Sequence, residues 1–135
     1  MVVLVTGSSK GIGYQIASDL LDQGHDLVLH CNRNKSSLEG LLSAYKSNSV
    51  IIQADLSSYN DIKKLVDETI NKLSFPDCVI NNAGIAESAD ISLDIEEWDK
   101  MFDKTISVNL KAPGLIFKEF IKYKRKNKIK TRLRF

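Results

Sequence analysis

A glycine-rich turn near the start of the chain has the composition and the setting of a phosphate-binding site. The turn, Thr6-Gly7-Ser8-Ser9-Lys10-Gly11-Ile12-Gly13, follows the apolar run Val2–Val5 and precedes a helical pattern at residues 14–21. Backbone N–H groups at the start of a helix bind a pyrophosphate, the helix dipole favours its negative charge, and glycine lets the ligand approach closely. The order strand, glycine turn, helix therefore predicts a dinucleotide-binding site, with an ordinary tight turn as the alternative.

Three further motifs lie later in the chain, where they follow predicted strands or belong to a predicted helix. Ala54-Asp55-Leu56 comes after the third strand, Asn81-Asn82-Ala83-Gly84 after the fourth, and Ser107-Val108-Asn109-Leu110 within a later helix. Together with the Gly-x-x-x-Gly-x-Gly spacing of the first turn, these motifs resemble the short-chain dehydrogenase/reductase family over residues 2 to about 122. Within that family, the chain is similar to the 3-oxoacyl-carrier-protein reductases.

The resemblance implies a role for each motif. Asp55 is expected to accept a hydrogen bond from the adenine amino group, with Leu56 beside it; the alternative is a carboxylate that only caps the next loop. Asn82, Ala83 and Gly84 are expected to line the cofactor, and Asn81 is expected to stabilise the sheet. For Asn81 and Asn82, which of the two lines the cofactor and which stabilises the sheet stays open. The implied cofactor-binding residues are Gly7, Ser9, Lys10, Gly11, Ile12, Gly13, Arg33, Asp55, Leu56, Asn82, Ala83 and Gly84.

Asn109 is the catalytic residue that the resemblance assigns. Similar proteins use this asparagine to hold a water molecule in a proton relay. Pro113 lies four residues later and has no N–H for the carbonyl group of Asn109. We therefore expect that carbonyl to be free and the helix to bend near Pro113-Gly114. The alternative is a proline that marks a simple surface kink.

The end of the second predicted strand favours NADP over NAD. NAD-preferring relatives place an acidic residue there to bind the ribose hydroxyls, whereas this chain has His30-Cys31-Asn32-Arg33. Arg33, and Lys10 in the glycine turn, suit a 2′-phosphate because arginine pairs well with phosphate oxygens. Alternatively, both are solvated surface charges. His25 and His30 have no partner at a useful spacing, and neither is assigned a role.

The family's catalytic centre is missing from these 135 residues. Similar reductases use a serine that orients the carbonyl group and a Tyr-x-x-x-Lys motif whose tyrosine is the general acid. The late candidate Tyr123-Lys124-Arg125-Lys126-Asn127 has asparagine where lysine is required. The resemblance thus implies the cofactor-binding part of an oxidoreductase that transfers hydride between NADP(H) and a carbonyl or alcohol, inactive as it stands and truncated or frameshifted. The alternatives are a non-catalytic dinucleotide-binding module and a fragment that a partner chain completes.

These motifs must be positioned by short apolar strands that alternate with amphipathic helices. Strands are predicted at residues 2–5, 27–30, 50–52 and 78–80, and helices at 11–22, 36–45, 61–73 and 96–123. Ser36 or Ser37 is the expected N-cap of the second helix, and Trp98 is expected to pack in the core. Right-handed crossovers predict an α/β fold of the Rossmann type, the N-terminal half of a doubly wound parallel sheet in the order 3-2-1-4.

The chain divides by charge into a dinucleotide-binding domain, residues 1–122, and a basic tail, residues 123–135. Residues 1–117 carry ten Lys or Arg and sixteen Asp or Glu, whereas residues 118–135 carry nine basic residues and one acid, Glu119. Such a tail could contact nucleic-acid phosphates, although a run of charge is more often a solvated segment. Because no strand pattern follows the long helix, strand four is predicted to form an open edge. Self-association through this edge and the long helix is expected.

Composition excludes several classes of protein. The chain is 43% hydrophobic and 27% charged, which is ordinary for a soluble globular domain. Its two cysteines, Cys31 and Cys78, provide neither a disulfide framework nor a metal-ligand spacing, so no metal site is expected. No apolar run has the length of a transmembrane helix, and Met1 leads directly into the first strand without a signal peptide. We therefore expect a cytoplasmic protein with free thiols.

Overall fold

A four-stranded parallel sheet forms the centre of the protein. The computed structural model describes residues 1–86 and 90–135. The strands lie in the order β3-β2-β1-β4, and Leu4 is opposite both Val28 and Val79. Their bounds are β1 (Val2–Val5), β2 (Asp26–Cys31), β3 (Val50–Gln53) and β4 (Cys78–Ile80). The predicted order 3-2-1-4 and the predicted Rossmann-type fold class are therefore confirmed.

Helices cover both faces of the sheet, because successive side chains on each strand point to opposite sides. One face packs against α1 (Gly11–Asp22) and α2 (Ser36–Ser43), and its buried strand residues are Val3, Val5, Leu27, Leu29 and Cys31. The other face packs against α3 (Tyr59–Lys72) and α5 (Ala112–Lys126), and its buried strand residues are Leu4, Val28, Ile52 and Val79. This two-sided burial explains why the strands are short apolar runs rather than alternating patterns.

The start of α2 corrects a prediction. Neither Ser36 nor Ser37 caps this helix, because Lys35 occupies the N-cap position without a capping side chain. Asn34 instead accepts hydrogen bonds on Oδ1 from the N–H and the hydroxyl of Ser36. The hydroxyl of Ser37 donates to the carbonyl of Ser9 in the glycine turn. Both serine hydroxyls therefore act as donors, whereas a cap must accept.

The long predicted helix is divided by a π-helical segment. Helix α4 spans Ile95–Ile106, the π-turn spans Ser107–Lys111, and α5 follows. The N–H of Ala112 donates to the carbonyl of Ser107, five residues earlier, which is the π-helical spacing. The irregularity therefore lies one turn before Pro113, in the segment whose α-helical bonds the proline cannot complete.

The chain after α5 corrects the prediction of an open edge at β4. Helix α5 extends to Lys126, beyond the expected domain boundary at residue 122, and the tail then returns to the sheet. Arg134 N–H donates to the carbonyl of Asp77, and Val79 N–H donates to the carbonyl of Arg134, both at 2.9 Å. The prediction is wrong because a single bridge needs no strand pattern, and an edge segment tolerates charged side chains that are exposed to solvent, as Arg134 is.

Two further expectations concern single side chains. Trp98 stacks on Phe102 with ring centroids 5.3 Å apart, and 41% of the tryptophan is exposed. The expectation that Trp98 packs in the core is therefore wrong. Cys31 and Cys78 are free thiols, as predicted, because β1 separates the strands that carry them.

Within residues 1–86 and 90–135, every helix is too short or too polar to cross a membrane.

Candidate functional site

A cleft of about 780 Å³ opens at the carboxyl ends of the strands. Its walls are formed by the segments that follow β1, β2, β3 and β4, together with Lys104 of α4 and Val108 of the π-turn. Two expected cofactor-binding residues do not line it, since Ile12 points outward with 76% exposure and Gly13 is buried. The expected residues that do line it are Gly7, Ser9, Lys10, Gly11, Arg33, Asp55, Leu56, Asn82, Ala83 and Gly84.

The glycine turn is compact because its glycines leave no room for side chains. Gly7 has a φ of +65°, and a Cβ built on it would lie 2.8 Å from Cα of Ala83. A Cβ on Gly13 would lie 2.4 Å from the carbonyl oxygen of Gly7 and 2.3 Å from Nδ2 of Asn82. Gly13 therefore lets α1 begin directly beneath the turn, where the N–H groups of the first helical turn have no partners in the helix.

Thr6 and Asn82 attach the glycine turn to the segment after β4. The hydroxyl of Thr6 accepts hydrogen bonds from the N–H groups of Asn82 and Ala83, at 3.1 and 3.0 Å. Nδ2 of Asn82 donates to the carbonyl oxygens of Thr6 and Gly7, at 3.0 and 3.1 Å. Asn82 thus both lines the cleft and braces it. Thr6, which sequence reasoning missed, is 1% exposed and acts through its hydroxyl.

His30 is a second residue that sequence reasoning missed. Its Nδ1 accepts a hydrogen bond from Gly7 N–H at 3.1 Å, and its Nε2 lies 3.0 Å from the carbonyl oxygen of Ala54. Because a carbonyl oxygen only accepts, we assign the proton to Nε2. Burial lowers the pKa of His30, against opposing contributions from Ala54 and the Asp55 carboxylate. The sequence feature that could have identified His30 is its position as a single polar residue near the carboxyl end of the apolar strand β2.

Asp55 lies at the rim of the cleft and is exposed. Its Oδ1 accepts from the N–H of Ser57 at 2.9 Å and from the Ser57 hydroxyl at 2.7 Å. These hydrogen bonds lower the pKa of Asp55 below its ordinary value, and the charges of Lys104 and Arg33 act in the same direction. The carboxylate therefore caps the next loop, as the alternative interpretation expected, and also faces the cleft.

Lys10 and Arg33 give the cleft a cationic side. Both side chains are exposed, and both line the cleft together with Asn32 and Asn34. Arg33 also borders a second groove of about 570 Å³ that runs along β3. Because the residues directly after β2 include no acid, this side of the cleft has the charge that suits an anionic group.

Asn109 lies in the π-turn and faces the segment after β4. Its Oδ1 accepts from Ile85 N–H at 2.9 Å, and its Nδ2 donates to the Ile85 carbonyl oxygen at 2.8 Å. The side chain therefore clamps this segment with two hydrogen bonds. A Cβ on Gly84 would lie 3.5 Å from Oδ1 of Asn109, so the asparagine lies directly beside the cleft.

Tyr123, the late tyrosine of the sequence, is remote from this chemistry. It does not line the cleft, and its ring stacks on Phe75 with centroids 6.4 Å apart. Among the residues that the structure describes, no group of three or more His, Cys, Asp or Glu side chains could hold a metal ion.

Comparison with known proteins identifies the class. Residues 1–129 match the family described as short chain dehydrogenase, and the chain therefore belongs to this family. It is 31% identical over 121 residues to an NADPH-dependent pterin aldehyde reductase of Arabidopsis thaliana, a match covering 88% of this chain and 49% of the relative. It is 29% identical over 107 residues to a 3-oxoacyl-acyl-carrier-protein reductase of Staphylococcus epidermidis, covering 76% and 44%. The predicted family is confirmed, and the chain spans about half the length of these relatives.

Solved structures agree with this assignment. A 4-hydroxyisoleucine dehydrogenase complexed with NADH superposes with a TM-score of 0.80 at 28% identity, over 98% of this chain and 52% of that one. The FolM alternative dihydrofolate reductase 1 from Brucella suis, in complex with NADP, gives 0.76 at 29% identity, over 90% and 50%. The similarity thus extends over nearly all of this chain and half of each neighbour.

Proposed function

We propose that residues 1–135 form the NADP(H)-binding half of a short-chain oxidoreductase that transfers hydride between nicotinamide C4 and a carbonyl or alcohol carbon. The observation that carries the proposal is the cleft, where the glycine turn, Asp55 and residues 82–84 meet at one end of the sheet. Ligands of doubly wound sheets bind at this end, with the pyrophosphate at the N-terminus of the first helix. Gly7, Ser9, Lys10 and Gly11 line the cleft at the N-terminus of α1 and fit such a ligand. The close packing around Gly7 and Gly13 holds this turn in place.

The charge around the cleft favours NADP over NAD. Lys10 and Arg33 line the same cleft, and no acid directly follows β2 to bind a free 2′-hydroxyl. Asp55 is the acid in the lining, but Ser57 occupies one of its oxygens and its proposed contact is the adenine amino group. The alternative, that the two cations are only solvated, leaves NAD and NADP bound equally well.

We do not expect these 135 residues to catalyse the reaction on their own. Asn109 lies beside the cleft and holds Ile85, and its proposed role is to position a water molecule in the complete active site. A serine and a Tyr-x-x-x-Lys motif that would polarise a carbonyl group are not provided by the residues after Asn109. A cytoplasmic location, which the two free thiols favour, belongs to the same proposal.

A partner-completed fragment or a dinucleotide-binding module without catalysis is the second candidate. Exposed apolar side chains on α4 and the π-turn favour it, since Phe102 is 49% and Leu110 68% exposed. Nucleic-acid binding by the basic tail has less support. Phe135 packs against Phe117 and Tyr123 against Phe75, so both aromatic rings of that segment already have a ring partner within the chain, whereas base stacking needs an open ring face.

Titration of the chain with NADPH and NADH tests the proposal. We expect NADPH to bind about tenfold more tightly, since a hydrogen bond to a charged group contributes about 1.5–3 kcal/mol before solvent screening. Arg33→Ala should remove most of this difference, and Arg125→Ala, an exposed arginine on α5, is the matched control. Equal affinities in the wild type would defeat the NADP assignment, and no binding of either cofactor would defeat the proposed function.

A further inference from the structure

We propose that His30 is a positioning residue for the dinucleotide, whose neutral ring fixes the distance between the glycine turn and the loop that begins at Asp55. One bond of the ring ends on Gly7 and the other on Ala54, the residue before Asp55. These two segments are the walls expected to hold the pyrophosphate and the adenine of one ligand. The inference rests on the proposed function, because it concerns the same cleft.

The glycine turn depends on His30 for more than one bond. The carbonyl oxygen of His30 accepts from Ser8 N–H at 2.9 Å and from the Ser8 hydroxyl at 3.1 Å, in addition to the ring contact with Gly7. On the other side, Asn82 donates to the Gly7 carbonyl oxygen. The peptide groups at Gly7 are thus held by one hydrogen bond from β2 and one from the segment after β4. The His30 ring makes the hydrogen bond from β2.

Histidine is suited to this position because its two ring nitrogens reach in different directions. Only the neutral ring with its proton on Nε2 can accept from Gly7 N–H and donate to the Ala54 carbonyl oxygen. The amide atoms of asparagine are bonded to Cγ, as Nδ1 of histidine is. The amide atoms of glutamine are one carbon further along the side chain, as Nε2 of histidine is. Each of these residues can therefore replace one of the two hydrogen bonds, whereas leucine replaces neither.

NADPH titration of four variants tests the inference. His30→Leu should weaken binding about tenfold or more, since it leaves the half-buried N–H of Gly7 and the buried carbonyl group of Ala54 without partners. His30→Asn and His30→Gln should each recover part of the loss. His25→Leu is the matched control, because His25 precedes the opposite end of β2 and its ring makes no hydrogen bond to the described residues. This control should bind like the wild type.

The outcomes separate this inference from the proposed function. If the wild type binds NADPH and a folded His30→Leu binds it equally well, the positioning role is wrong while the proposed function stands. If His30→Leu does not fold, the two amide variants decide. Each is expected to bind several-fold more weakly than the wild type, and wild-type affinity in both would overturn the inference. Failure of the wild type to bind would instead reject the proposed function itself.

Discussion

At the scale of single residues, Gly13 is the glycine at which an added Cβ would meet the shortest contacts. Gly13→Ala should weaken NADPH binding, because the new Cβ would lie 2.4 Å from the Gly7 carbonyl oxygen and must displace the glycine turn. Overpacking of this kind costs about 1–3 kcal/mol. If the cost falls on the binding-competent turn, affinity falls by about fivefold to 150-fold. Titration calorimetry measures the loss.

Gly40→Ala is the control for this substitution. Gly40 lies in α2, and a Cβ there meets no atom within 4 Å. The same change should leave NADPH affinity unaltered and raise helix stability by about 0.5–1 kcal/mol. Equal affinities for Gly13→Ala and the wild type would show that the turn moves freely and that its tight packing does not shape the cleft.

The buried ring of His30 makes stability depend on pH. Its pKa in the folded protein lies below the ordinary value of 6.5, so the unfolded chain binds more protons between the two values. The contribution of the neutral ring is therefore complete above pH 6.5 and is lost as the pH falls through the folded pKa, by at most about 1.4 kcal/mol per pH unit. The Asp55 carboxylate opposes the shift, and its own lowered pKa acts only below its ordinary value of 3.8.

Urea denaturation between pH 7.5 and pH 5 measures this dependence. The free energy of unfolding of the wild type should fall toward pH 5, and His30→Asn should flatten the decline. His25→Asn is expected to leave the decline as in the wild type. A decline that persists unchanged in His30→Asn would assign the titration to another group.

Residues of the cleft could be predicted wherever a motif directly follows a strand. Asp55 and Asn82 were found in this way, because the carboxyl ends of parallel strands meet at one edge of the sheet. Thr6 and His30 were not found, since each acts through a hydrogen bond to a segment distant in sequence. Their roles become visible only when β2 and β4 lie beside β1.

At the scale of secondary-structure elements, the pairing of the tail with β4 determines whether the sheet has an exposed edge. Arg134→Pro removes the N–H that donates to the Asp77 carbonyl oxygen. One such hydrogen bond contributes about 0.5–1.5 kcal/mol, so the free energy of unfolding should fall by about this amount. The N–H of Val79 should exchange faster with solvent deuterium, because its acceptor on Arg134 is displaced.

Arg132→Pro is the control in the same tail. In the part of the chain that the structure describes, the N–H of Arg132 donates no hydrogen bond. Denaturation and hydrogen exchange should therefore change less than in Arg134→Pro. If Arg134→Pro matches the wild type in both measurements, the tail does not protect β4 and the edge is open, as the sequence alone suggested.

The elements themselves followed from periodicity, whereas their irregularities did not. Apolar runs predicted each of the four strands to within one residue of its observed ends, because burial on both faces leaves a strong signal. The π-turn was expected only as a bend near Pro113. It lies one turn earlier because Pro113 leaves the carbonyl group of Asn109 without its α-helical donor. Val108 and Ala112 of this region are buried in the core.

At the scale of the whole molecule, an apolar stripe lies exposed along α4 and the π-turn. Its side chains recur every three or four residues, so they share one helical face. The exposed members are Ile95, Trp98, Phe102, Ile106 and Leu110. Burial of such a side chain contributes about 1.5–3 kcal/mol, a large amount beside a typical domain stability of about 5–15 kcal/mol. We therefore expect the chain to self-associate through this stripe.

Charge supports an antiparallel arrangement of two copies. The start of α4 carries Glu96 and Glu97, whereas the π-turn at the other end of the stripe ends on Lys111. Two stripes that pair antiparallel about a twofold axis would place the acidic start of one stripe near the Lys111 end of the other. Phe102→Glu and Leu110→Glu should each add an acid to the stripe and weaken the association.

Size-exclusion chromatography with light scattering, over a range of protein concentrations, measures this association. The wild type should shift toward a dimer as its concentration rises, and the two stripe variants should remain monomeric at the same concentrations. Ala44→Glu, at the exposed end of α2 on the opposite face of the sheet, should behave like the wild type. A wild type that stays monomeric at every concentration, and melts in one sharp transition at about 45–65 °C, would show that the exposed stripe is tolerated in water. The chain would then be a self-sufficient half-domain, with no stability to gain from a second copy.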